Sequence, residues 1–83
     1  MMIVSNNGLY IAIRAMSEEL QQAGEAQWSS TLTDALSISS IPGEVLGETR
    51  LQLQRLRASA VARRLNLQWQ IDEALSYLND ILR

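Results

Sequence analysis

The sequence of 83 residues contains no cysteine and no histidine, and each absence excludes a class of chemistry. Without cysteine the chain has no disulfide, no iron–sulfur ligation and no thiolate zinc site. Without histidine it lacks the side chain that most often transfers protons at neutral pH. Ser29 and Ser30 have neither a histidine nor a lysine to activate them as nucleophiles. We therefore expect a protein that is not an enzyme and that uses no metal and no cofactor.

Long apolar runs and an excess of basic charge are also missing. The formal net charge is −2, so the chain as a whole does not attract nucleic acid. No apolar run approaches the roughly 18 residues that a membrane-spanning helix requires, and residues 1–7 lack the basic region of a secretory signal. We predict no nucleic-acid partner, no membrane partner and a cytoplasmic location.

Apolar residues recur at steps of three and four, which predicts an all-α fold in a single domain that covers all 83 residues. The first helix is expected to begin after Asn6 or Asn7, which are good capping residues, and to end at Gly24. A second helix follows with Glu25 in its first turn and frays over the serine-rich segment 37–40. The buried face of the first helix is predicted to carry Leu9, Ile13, Met16 and Leu20.

The second half of the chain allows two arrangements. A turn at Pro42 separates the second helix from a third, which starts near Glu44 and continues toward Leu65. Asn66 is a candidate end for the third helix and cap for a fourth, which favours a small bundle of four helices. The apolar positions on both sides of Asn66 would, however, lie on the same face of one continuous helix. The alternative is therefore a helical hairpin plus one long C-terminal helix, stabilised as a dimer.

The charges are segregated along the chain. Six acidic and no basic residues lie between positions 17 and 48, whereas five arginines and no acidic residue lie between positions 49 and 66. Arg50, Arg57 and Arg64 recur every seven residues and are predicted to share one narrow face of the third helix, the arginine stripe. None of the five arginines has an acidic residue three or four positions away, so their partners lie elsewhere.

Three interpretations of the arginine stripe stay open. The acidic first half of the chain packs on the third helix and neutralises it, or a twofold dimer pairs it across an interface, or an acidic surface of another protein binds it. Where the stripe does not neutralise them, acidic residues such as Glu18, Glu25 and Asp34 would face a basic partner.

An aromatic residue of the last helix is a further candidate for partner binding. Trp28 and Trp69 both lie at helical spacing from leucines, so core packing is the first interpretation of each ring. Trp69 lies off the apolar face of the last helix, beside Asp72 and Glu73, and the alternative for it is an exposed ring at an interface. The residues predicted to contact a partner are Glu18, Glu25, Asp34, Arg50, Arg57, Arg64 and Trp69. The leading hypothesis is a small acidic helical module that binds another protein, as bacterial toxin-immunity proteins, secretion chaperones and phage inhibitors do. The alternative is a structural homo-oligomer whose role is assembly.

Overall fold

Five α-helices make up most of the described chain. The computed structural model describes residues 2–82, and no strand occurs among them. The helices are α1 (Asn6–Gln22), α2 (Ala26–Ala35), α3 (Pro42–Arg57), α4 (Ala60–Arg64) and α5 (Gln68–Ile81). The all-α prediction is confirmed over this range, but the third predicted helix is divided into α3 and α4, so five helices stand where four were expected.

The start of α1 differs from the prediction in its capping residue. Ser5, rather than Asn6 or Asn7, is the N-cap: its Oγ accepts a hydrogen bond of 3.1 Å from the N–H of Gly8. The backbone of Ser5 is extended, with φ −151° and ψ 162°, as the residue before a helix requires. Asn6 and Asn7 therefore lie inside the first turn.

Both α1 and α4 end in the same hydrogen-bonded motif around a residue in the left-handed conformation. Gly24 has φ 83° and Asn66 has φ 60°. The N–H that follows Gly24 donates to the Leu20 carbonyl at 2.8 Å, and the N–H of Leu67 donates to the Ala62 carbonyl at 2.9 Å. This closure is the Schellman motif. The predicted helix end at Gly24 and the favoured break at Asn66 are confirmed, and the described chain does not form the long C-terminal helix of the alternative.

The third predicted helix is interrupted at Ser59, so it does not continue as one helix toward Leu65. Ser59 is extended (φ −85°, ψ 157°) and caps α4, since its Oγ accepts from the N–H of Ala62 at 3.4 Å. The same hydroxyl donates to the Leu56 carbonyl at 2.7 Å. A serine that binds the backbone on both sides competes with a continuous helix. The seven-residue spacing of the arginines therefore does not place all three on one helix.

One hydrophobic core connects the helices, and the predicted inner face of α1 contributes to it. Leu9, Ile13, Met16 and Leu20 are all buried, as the helical spacing indicates. The other large side chains with no exposure are Leu32, Leu53, Leu56, Leu67, Ile71 and Leu78. The radius of gyration is 11.7 Å, close to the value of about 11.8 Å expected for a compact folded chain of this length.

A pair of buried hydroxyl groups links α1 to α2 within this interior. Ser17 Oγ donates to the carbonyl oxygen of Ser29 at 2.9 Å, and the two hydroxyl oxygens lie 2.7 Å apart. Both serines are buried and each satisfies the other, as buried polar groups require. Ser29, considered above as a nucleophile, is thus part of the packing between two helices.

Candidate protein-binding site

Two arginines of the predicted stripe form ion pairs within the chain. Arg64 of α4 places Nη2 2.7 Å from Oε1 of Glu25, the residue before α2. Arg57, at the end of α3, donates from Nε at 2.8 Å and from Nη2 at 3.3 Å to the two carboxylate oxygens of Asp72 in α5. The hydrogen bond from Arg57 to Asp72, and then the negative charge of that carboxylate, raise the pKa of Arg57.

The expected single arginine face does not exist, because the third of these residues belongs to a different helix. Arg50 and Arg57 are in α3, whereas Arg64 is in α4 beyond the Ser59 break. Arg50 is half-buried and forms no ion pair with another described residue. Two of the three charges are therefore used to connect α3 to α5 and α4 to the start of α2.

The Glu25–Arg64 ion pair is expected to stabilise the fold only slightly. Both side chains keep contact with water, so replacing both with glutamine in a double-mutant cycle should give a coupling energy of about 0.2–1 kcal/mol. Urea unfolding at low and high salt measures this coupling, which should shrink as salt screens the charges. Arg63, an exposed neighbour with no ion pair among the described residues, is the matched control and should show no coupling to Glu25. A salt-independent coupling would contradict this account.

The acidic residues predicted to bind a partner are divided by the fold. Glu25 is already paired, whereas Glu18 on α1 and Asp34 on α2 are exposed and have no ion pair among residues 2–82. Glu19, next to Glu18, accepts a hydrogen bond of 3.3 Å from Nε2 of Gln70. The first half of the chain thus keeps part of its negative surface after folding.

A groove with an apolar lining lies between α1, α5 and the segment that precedes α1, and its volume is about 400 Å³. We call it the apolar groove. It is lined by residues 2–5, by Gly8, Ile11, Ala12 and Ala15 of α1, and by Trp69, Gln70 and Glu73 of α5. Trp69 is 59% exposed and Ile11 is 60% exposed, and Met2 and Val4 are more exposed still. Trp69 is therefore exposed rather than packed in the core, and the ring is joined by three further apolar side chains that the sequence pattern did not indicate.

Several contacts hold the walls of the apolar groove in place. Ser5 caps α1 as described above, and Ile3 packs against the core, so the segment before the helix is fixed to it. Tyr77 of α5 donates to Oδ1 of Asn6 at 2.5 Å, and Gln70 donates to Glu19 near the other end of α1. Because these contacts join the start of α1 to the later part of α5 and its end to the earlier part, the two helices run antiparallel.

Another cavity, of about 500 Å³, lies beside α2 and α3 but has a different character. Its lining includes Glu25, Gln52 and Arg55, together with the half-buried ring of Trp28. Most of these side chains are polar and Glu25 is held by Arg64, so this cavity lacks a continuous apolar surface. Large exposed apolar patches mark interaction sites, and the apolar groove is the better candidate.

Metal-ligating clusters and membrane-spanning helices are both absent from residues 2–82. Within that range no three acidic side chains are grouped so that they could hold a metal ion. In the same range, no helix combines the length and apolar character needed to cross a membrane. The chain matches no protein-family model, and comparison with curated proteins and with solved structures gives no match either.

Proposed function

We propose that this protein is a non-enzymatic module that binds another protein through the apolar groove. The observation that carries the proposal is the exposure of Met2, Val4, Ile11 and Trp69 on one groove rather than at scattered positions. Singly exposed apolar residues are normal on protein surfaces, but several around one concave site are not. Tryptophan is also among the residues that contribute most to binding energy at interfaces.

The ion pairs within the chain favour binding of another protein over a homo-oligomer that assembles through the arginines. Arg57 and Arg64 already have partners in the same molecule, so a dimer built on the stripe would have to break both pairs. Exposed ion pairs contribute little affinity even when they form, whereas desolvated apolar anchors contribute most of it. The groove therefore replaces the arginine stripe as the proposed contact surface.

Site-specific photo-crosslinking tests the proposal in the cells that make the protein. A photoreactive amino acid at Ile11, inside the groove, should give an adduct with a second, different protein. The same amino acid at Ile41, which is 56% exposed but does not line the groove, should not give that adduct. Because the two sites share residue type and exposure, the comparison separates binding at the groove from nonspecific contacts of exposed apolar side chains.

Two results of this experiment would overturn the proposal. An adduct of twice the chain mass at Ile11, with a melting temperature that rises with protein concentration, would establish self-assembly in place of binding to another protein. Equal adducts at Ile11 and Ile41, or none at Ile11, would remove the groove as the binding surface.

A further inference from the structure

We infer that the occupant of the apolar groove is an amphipathic helix of another protein, with lysine or arginine beside its apolar face. This inference rests on the proposed function and specifies the partner. The shape of the groove and the charge at its edge support this occupant.

The shape of the apolar groove suits a helix. Gly8, Ile11, Ala12 and Ala15 follow each other at steps of three, one and three, which places them on one face of α1 over about 10 Å. Ala12 and Ala15 are small, so a partner backbone can approach closely there, while the exposed Ile11 and Trp69 provide larger surfaces for packing. Two turns of a partner helix with apolar residues at i, i+3 or i+4, and i+7 match this length.

An extended peptide fits the same walls poorly. Recognition of a strand depends on free backbone N–H and C=O groups at a sheet edge, and residues 2–82 contain no strand. On the α1 wall, the backbone groups of Ile11, Ala12 and Ala15 are bonded within the helix. Affinity along this wall must therefore come from side chains, as in helix-in-groove recognition.

The unpaired charges at the apolar groove are acidic. Glu73 lines it and forms no ion pair within residues 2–82. The α1 face that carries Ile11 and Ala15 continues at helical spacing to Glu18, which is exposed and equally unpaired among those residues. Arg14 is the one arginine of α1, and it lies at the same helical spacing between Ile11 and Glu18, but it lines a different cavity with Tyr10 and Leu36. The charge in the groove lining itself is that of Glu73. Charge complementarity therefore favours a partner with basic residues.

The same charges disfavour a second copy of this chain as the occupant. In a twofold dimer the same patch meets itself, so the Glu73 carboxylates of both molecules would be brought into one interface. Like charges across an interface reduce affinity. An anionic lipid surface is disfavoured for the same reason, because its charge matches that of the groove's edge.

Selection from a library of displayed helical peptides against the full chain tests this inference. We expect enriched peptides to combine an i, i+3 or i+4, i+7 apolar face with flanking lysine or arginine. Ile11→Glu should weaken the best peptide at least about tenfold, whereas Ile41→Glu, at a similarly exposed isoleucine outside the groove, should change its Kd less than about twofold. Glu73→Arg should weaken it about two- to fivefold at low salt and less at high salt.

Each contrary outcome has a definite meaning. Enrichment of acidic or neutral peptides, or a Kd that Ile11→Glu leaves unchanged, overturns the inference about the partner. Failure to select any helical peptide also overturns this inference. In that case a photo-crosslinked adduct between Ile11 and a different protein in cells would still support the proposed function. Conversely, basic helices selected here without any adduct in cells would overturn the proposed function and leave only the groove's capacity to bind such peptides.

Discussion

Leu53→Ala is expected to lower the free energy of unfolding by about 3–5 kcal/mol. Leu53 has no exposed surface and lies in the core, so truncation removes buried methyl groups and leaves a cavity. A domain of this length is stabilised by only about 4–12 kcal/mol in total, so the loss is a large fraction. Thermal unfolding followed by circular dichroism should show a melting temperature at least about 12 °C lower.

Leu51→Ala is the matched control for this substitution. Leu51 lies in the same helix two residues earlier and is 48% exposed, so the identical chemical change removes little buried surface. Surface substitutions of this kind usually change stability by about 0.5 kcal/mol or less. Equal destabilisation by the two variants would mean that the face of α3 that carries Leu53 does not pack against the core.

Asn66→Val is expected to destabilise the fold by about 1–3 kcal/mol, and for a different reason. The left-handed backbone at Asn66, with φ 60°, is tolerated by asparagine and glycine but is strained for a β-branched residue. The side chain is exposed, so the change removes little packing. Urea unfolding should give a lower midpoint at an unchanged m-value, because the surface exposed on unfolding stays the same.

Asn66→Gly separates backbone strain from loss of the asparagine side chain. Glycine accepts the same φ without a steric penalty, so this variant should keep the wild-type stability within about 0.5 kcal/mol. If glycine lowered the free energy of unfolding as much as valine does, the stability at this position would come from the asparagine side chain and not from the backbone conformation.

Local features of the fold were predictable because their chemistry lies within a few residues. The inner face of α1 follows from helical spacing, and the breaks at Gly24 and Asn66 follow from residues that tolerate a positive φ. The break at Ser59 had a signal as well, since serine is a good N-cap. The apolar spacing around it is uninterrupted, however, and that spacing by itself predicts a continuous helix.

The candidate site was less predictable because its parts are distant in the chain. The helical spacing of Trp69 from leucines first favours core packing, but the ring is exposed, as its position off the apolar face of the last helix allows. Its neighbours in the groove, such as Met2 and Ile11, are more than fifty positions away and are brought there only by tertiary packing. The ion pairs of Arg57 and Arg64 are likewise with residues 15 and 39 positions away, beyond the reach of helical spacing.

The antiparallel arrangement of α1 and α5 has a kinetic consequence. Contacts between neighbouring helices close short loops, whereas the contact between Asn6 and Tyr77 spans 71 positions and closes most of the described chain. The entropy of loop closure rises with loop length, so contacts of this range are the slower ones to form. During synthesis, neither wall can meet the other until α5 has left the ribosome. The groove is therefore a property of the completed fold and is absent from any nascent fragment that ends before the fifth helix.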